Sequence, residues 1–149
     1  MLQSQLIHPQ ILQVLGRAGH SSKVLIADGN YPFVTTLGPN AKLVSLNLSP
    51  GLVSGTQVLE SLVTAIPVEA ATVMQYAATG PYGLDHDPPI WSEYRSVLDG
   101  AGFTEDYDRV DRLDFYELAS QPDVALTIAT GEQRIYANLL LTIGVVMPG

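Results

Sequence analysis

The chain has no cysteine and only three histidines among its 149 residues. Disulfides, thiol nucleophiles and thiolate metal sites are excluded. The absence fits a reducing compartment, and a cytoplasmic location is expected. Positive charge is also scarce: seven Lys and Arg stand against fifteen Asp and Glu, for a net charge of -8. A negative field repels phosphate backbones, and the cations are scattered, so nucleic acid is not an expected partner. An anionic membrane surface is disfavoured on the same ground. No apolar run reaches the roughly 18 residues of a membrane-spanning helix. Met1-Leu2-Gln3-Ser4-Gln5 puts no positive segment before an apolar stretch, so it does not read as a secretory signal. A Gly-rich phosphate loop is missing, and so is a Gly-x-Ser-x-Gly elbow. His8, His20 and His86 lie far apart in sequence, and even Asp85-His86-Asp87 falls short of a ligand cluster, so no metal is expected.

What remains is an apolar, ordered composition, 46% hydrophobic and 15% charged. Residues 1–149 have the size of one domain with one core. Pro9 followed by Ile11, Leu12, Leu15 and Ala18 at helical spacing predicts a first helix, stopped at Gly19. Lys23–Asp28 and Lys42–Leu46 read as buried strands, separated by the breaker Gly29-Asn30-Tyr31-Pro32. Thr56–Thr64 has an amphipathic helical pattern after the turn Ser49-Pro50-Gly51. A third strand is expected over Val68–Met74, then a loop from Pro81 to Pro89. Pro88-Pro89 opens a helix carrying Trp91, Tyr94 and Leu98. Strands over Tyr107–Arg112, Val124–Thr130 and Leu139–Val146, with a short helix Leu113–Ala119, complete the reading. Strands alternating with helices predict an α/β fold with a mostly parallel sheet covered by helices. Ligands of such sheets bind beyond the carboxyl ends of strands, where Asp28 and Gly131-Glu132 could share one cleft edge.

Few side chains can move protons here. His20 is the leading candidate, because imidazole exchanges its proton near neutral pH. Equally, a histidine at a helix C-terminus complements the helix dipole. Asp28 can orient a histidine or hold two hydroxyls, or it can cap the turn at Gly29-Asn30. Tyr136 and Asn138 share one face if the backbone between them is extended, and a phenol and an amide suit sugar hydroxyls; edge packing and turn capping are the alternative. Arg112 has Asp111 and Asp114 as possible ion-pair partners on a solvated face. Trp91 and Tyr94 read as core or interface residues.

In combination these residues resemble the ribose pyranase and fucose mutarotase family. The matching stretches are Leu15-Gly16-Arg17-Ala18-Gly19-His20, Ala27-Asp28-Gly29-Asn30-Tyr31-Pro32, Val68-Glu69-Ala70-Ala71, Arg112-Leu113-Asp114-Phe115-Tyr116-Glu117, Thr130-Gly131-Glu132 and Tyr136-Ala137-Asn138. The resemblance implies an enzyme of the isomerase class that interconverts ring forms of free monosaccharides without metal or cofactor. It implies a ring-forming oligomer, commonly a homodecamer of two stacked pentamers, with active sites between subunits. The family's catalytic histidine falls on His20, its sugar-binding aspartate on Asp28, and its binding Tyr-x-Asn segment on Tyr136-Ala137-Asn138. Arg112 before Phe115-Tyr116-Glu117 resembles the fucose branch, in which the tyrosine matched by Tyr116 is associated with mutarotase activity. Val68-Glu69-Ala70-Ala71 and Tyr136-Ala137-Asn138 look more like the ribose branch.

The expected activity is therefore acid/base opening of a cyclic hemiacetal, of L-fucose or a related sugar. Proton transfer is assigned to His20 oriented by Asp28, with a possible relay through Tyr116. Arg112, Tyr136, Ala137 and Asn138 would bind the sugar. The alternatives are a D-ribose pyranase, a non-catalytic sugar-binding accessory of a transport or catabolic system, and a ring-forming structural protein.

Overall fold

A computed structural model describes residues 1–149. Its elements run α1 (Pro9–Arg17), β1 (Lys23–Ala27), β2 (Lys42–Ser45), α2 (Gly55–Leu62), β3 (Val68–Met74), α3 (Pro89–Gly100), β4 (Asp108–Val110), α4 (Arg112–Ala119), β5 (Val124–Ala129) and β6 (Leu139–Ile143). Local chemistry explains several boundaries. His8 caps α1 through Nδ1, which accepts the Ile11 N–H, and Pro9 begins the helix where its missing N–H costs nothing. Ser54 and Gln57 form a reciprocal capping box at the start of α2. The strand expected over Tyr107–Arg112 is shorter, because Asp111 is extended as an N-cap and Arg112 already begins α4.

The strands form one six-stranded sheet in the order β2-β5-β1-β6-β3-β4. The pairings β2·β5, β5·β1 and β3·β4 are parallel. β6 runs antiparallel to both its neighbours, β1 and β3, so the sheet is mixed. The link from β5 to β6 explains this: residues 130–138 contain no helix and are too few for a crossover to a parallel strand. β6 also stops at Ile143 rather than Val146: beyond it only the Gly144 N–H still bonds a neighbour, the Pro67 carbonyl at 2.9 Å, and residues 145–149 pair with no strand.

The larger core cluster lies between the sheet and α1, α2 and α3, and includes Ile11, Leu59, Leu62, Tyr94 and Leu98. A smaller cluster joins Phe115 and Ala119 of α4 to the other face. Alternation along β1 sorts Val24 and Ile26 to the first and Leu25 and Ala27 to the second. No helix is long and apolar enough to cross a membrane.

The antiparallel β6 has a direct consequence for where side chains gather. β1, β3, β4 and β5 all point their carboxyl ends at one edge of the sheet, and β6 starts from that same edge. Asp28, Met74, the start of α4 and the segment entering β6 therefore meet there.

Candidate active site

At this edge lies a cavity of about 550 Å³. Among its lining residues are Asp28, Arg112, Tyr116, Tyr136 and Asn138, drawn from the end of β1, the first turns of α4 and the entry to β6. Tyr31, Asn30, Tyr82, Met74 and Ile135 complete the wall.

Asp28 is buried, with 3% of its surface exposed. Its Oδ1 accepts the Asn30 N–H at 2.9 Å, the local turn bond anticipated from the Asp-Gly-Asn sequence, and its Oδ2 accepts the Ala137 N–H at 3.4 Å. Its own N–H donates to Asn138 Oδ1 at 2.8 Å. Burial raises the Asp28 carboxyl from its ordinary 3.8 to about 6; the Asn30 and Ala137 N–H groups oppose the rise, and the negative charge of Glu132 adds to it. Turn capping and a place on the cavity wall are thus both true of one side chain. A carboxyl that titrates near 6 can give and take protons close to neutral pH.

Asn138 spends its Oδ1 on Asp28, which leaves its amide N–H groups for a ligand. Tyr136 is arranged differently. It sits in a turn at φ +57° rather than in extended backbone. Its hydroxyl accepts the Ala77 N–H at 3.2 Å and donates to the Tyr82 carbonyl at 2.9 Å. The phenol thereby latches the loop that carries Tyr82, and Tyr136 offers the cavity its ring. Ala137 is fully buried in the core and contributes backbone only: its N–H to Asp28 and its carbonyl to Tyr94.

Arg112 takes none of the ion pairs open to it at Asp111 or Asp114. Its guanidinium lies 5.7 Å from the centre of the Tyr116 ring, a cation on an aromatic face at the cavity wall. Tyr116 in turn packs edge-on against Tyr31, with ring centres 5.5 Å apart. Burial pushes the Tyr31 phenol up to about 12, and its hydroxyl has no hydrogen-bond partner within the chain.

His20 is not part of this cluster. It precedes β1 whereas Asp28 follows it, so the five residues of β1, roughly 16 Å of strand, separate the two edges. At the far edge His20 Nε2 pairs with Glu69 of β3 at 2.9 Å, and the ring remains half exposed. Within one chain Asp28 does not orient it.

Thr130-Gly131-Glu132 does lie beside Asp28. The Gly29 N–H donates to the Glu132 carbonyl at 2.8 Å, and Thr130 Oγ1 donates to the Ala27 carbonyl at 2.7 Å. Gly131 leaves no room for a side chain, because a Cβ there would run into the Leu52 and Ser49 carbonyls. The Glu132 carboxylate turns away toward α2, accepting the Gly55 N–H at 3.2 Å and two donors of Arg134 at 2.9 and 3.0 Å. Burial pushes this carboxyl up, but those bonds outweigh it and hold it below the usual range. No three His, Asp or Glu side chains gather as metal ligands.

Tyr82 and Tyr31 escaped the sequence reading as wall residues. The signals were present: Tyr82 stands between glycines in Gly80-Pro81-Tyr82-Gly83, a turn tip, and Tyr31 lies in the breaker that follows Asp28.

The model of the RbsD / FucU transport protein family matches residues 1–146. The fucose mutarotase of Homo sapiens is 30% identical over 148 residues, covering 94% of this chain and 90% of its own length. The crystal structure of the fucose mutarotase from Streptococcus pneumoniae in complex with L-fucose has a TM-score of 0.80 and 29% identity, covering 99% of this chain and 100% of that one. RbsD of Bacillus subtilis, solved with D-ribose, has the same fold, with a TM-score of 0.74 at 22% identity, and covers 99% of this chain and 100% of its own. Matched over almost its whole length and folded as these relatives are, the chain belongs to the RbsD / FucU transport protein family.

Proposed function

We propose that this protein is a monosaccharide mutarotase acting on L-fucose or a closely related sugar. The observation that carries the reading is the buried Asp28 carboxyl on the wall of a sugar-sized cavity beside Arg112, Tyr116 and Asn138, where burial pushes its pKa up to about 6. The similarity to fucose mutarotases supports the choice of sugar. Arg112 and Tyr116 also favour it, since both line the cavity without hydrogen bonds from their side chains to the rest of the chain.

In this reading Asp28 takes the proton of the anomeric hydroxyl while a second group delivers one to the ring oxygen. The C1–O bond to the ring oxygen breaks, an open-chain aldehyde forms, and rotation about C1–C2 lets the ring close on the other face. The protons return by the reverse route, so no redox step occurs. In this proposal His20 of a neighbouring copy supplies the proton for the ring oxygen, relayed by Tyr116, while Arg112 and the Asn138 amide hold hydroxyls. General acid–base catalysis of this kind contributes roughly 10²–10⁴-fold, enough for a reaction that proceeds spontaneously in water. His20 reaches a cavity only if that cavity belongs to a neighbouring copy. A homodecameric ring in the cytoplasm, with His20 supplied across the subunit contact, is part of the proposal.

The test is saturation-transfer NMR between anomers, with L-fucose, D-ribose and related sugars. His20→Ala and Asp28→Asn should each abolish the enzyme-dependent exchange and leave the chain folded. Mixed one to one and reassembled, the two variants should regain about a quarter of wild-type activity, because random assembly gives that share of contacts both native residues. Failure of the mixture to regain any exchange would refute the shared site, and an inactive wild type toward every sugar would refute the mutarotase reading.

A further inference from the structure

Two buried aromatic residues of α3 that take no part in the proposed chemistry both donate hydrogen bonds into the segment behind the cavity. Trp91 Nε1 donates to the Tyr136 carbonyl at 2.8 Å, and Tyr94 Oη donates to the Ala137 carbonyl at 2.7 Å. The Tyr136 carbonyl and the Ala137 N–H belong to one peptide group. The indole thus bonds one end of a peptide whose other end donates to Asp28 Oδ2. A donor at the carbonyl fixes the plane of that peptide and strengthens its N–H as a donor. The Tyr94 bond fixes the following peptide in the same way.

This segment needs such ties. Tyr136 holds φ +57°, a conformation that a residue with a side chain adopts only when its surroundings impose it. Trp91 is itself held, its ring by the Arg109 guanidinium 4.9 Å from its centre and by the Tyr107 ring 6.1 Å away, its backbone carbonyl by the Tyr107 hydroxyl, which donates to it at 2.7 Å. Gly55 makes space for Tyr94, since a Cβ there would collide with the phenol oxygen.

We propose that Trp91 and Tyr94 are positioning residues: α3 clamps the Tyr136–Asn138 segment so that the Ala137 N–H faces the Asp28 carboxylate and holds it in the orientation that meets a sugar. The inference deepens the mutarotase reading and rests on it for the role of Asp28. Of the ionisable groups facing Asp28, Glu132 is negative and Arg112 positive, while Tyr31, Tyr94, Tyr116 and Tyr136 are neutral phenols. Replacing Trp91 or Tyr94 by Phe alters no charge among them, so no gained or lost ion contributes to a change in Asp28 titration.

The test uses the intact protein labelled with ¹⁵N-alanine. The Ala137 amide signal is followed by NMR between pH 4.5 and 8 in wild type, Trp91→Phe and Tyr94→Phe, beside the pH dependence of kcat/KM for anomer exchange. In Trp91→Phe the amide titration midpoint and the acid limb of kcat/KM should move together to higher pH, by on the order of half a pH unit, as the carboxylate loses a donor. Tyr94→Phe, which removes one oxygen from a packed ring, should move both the same way by less. Should Trp91→Phe fail to fold, Tyr94→Phe alone decides. Midpoints equal to wild type in a folded variant would overturn the proposal. A wild type that exchanges no anomers would remove the mutarotase reading, while the Ala137 amide would still decide the clamp.

Discussion

Replacing Asp28 with asparagine should change stability in a way that depends on pH and has a definite sign. The folded-state carboxyl titrates at about 6 against an ordinary 3.8. A raised acid holds its proton more tightly in the folded than in the unfolded chain, so stability falls as pH rises through this window. The distance between the two values, at about 1.4 kcal/mol per pH unit, makes the ionised group cost the fold about 3 kcal/mol above pH 6. A carboxamide cannot ionise, so Asp28→Asn is free of that cost. The variant forfeits one acceptor for the two N–H groups now shared by Oδ1 and Oδ2, which costs about 1 kcal/mol. At pH 8 it should therefore be more stable than wild type by about 2 kcal/mol, equivalent to about 4–8 °C in melting temperature for a chain of this size. At pH 4, where wild-type Asp28 is protonated in the fold, the advantage should vanish or reverse. Urea unfolding of both proteins at the two pH values measures the difference. A stability gap that is the same at pH 4 and pH 8 would refute the burial argument, whatever happens to activity. Gain of stability with loss of exchange at pH 8 is what a residue kept for chemistry should show.

Arg112→Met should leave the melting temperature within about a degree, since no ion pair holds the side chain, but should weaken sugar binding by about 10–100-fold in isothermal titration. Tyr116→Phe removes a hydroxyl that makes no bond within the chain; saturation-transfer NMR should show exchange slowed by about 10²-fold with little change in KM. Arg134→Met strips the buried Glu132 of its side-chain donors and should cost about 2 kcal/mol at neutral pH, a fall of about 4–8 °C by calorimetry. Because Glu132 is held below its usual range, that loss should shrink as the pH falls and wild-type Glu132 takes up a proton.

The helices and the buried strands were legible because their signals are local: the spacing of Ile11, Leu12 and Leu15, the prolines at 9 and 89, the apolar runs at 24–27 and 124–129. The direction of β6 was not, since an apolar run reads the same both ways. Only the shortness of the helix-free link before it points to the reversal. The gathering of Asp28 with Asn138 follows from strand ends sharing one edge, a rule that needs strand order as well as strand positions. The free state of Arg112 and the occupied hydroxyl of Tyr136 were beyond reach for a different reason. The first depends on which way a guanidinium leaves a helix, and the second on backbone groups of residues 77 and 82, which leave no mark on side-chain patterning. The spacing of His20 and Asp28 invites a pair, yet the five-residue strand between them is what keeps them apart within one chain.

β6 is the only bridge between two groups of strands, β2-β5-β1 on one side and β3-β4 on the other. Without residues 139–143 the sheet is two ribbons, each with an unpaired inner edge. The cavity wall straddles that seam, with Asp28 on one ribbon and Met74 and Arg112 on or beside the other. Inserting β6 therefore does two things at once: it pairs two inner edges that would otherwise stand open to other chains, and it joins the two sides of the cavity wall.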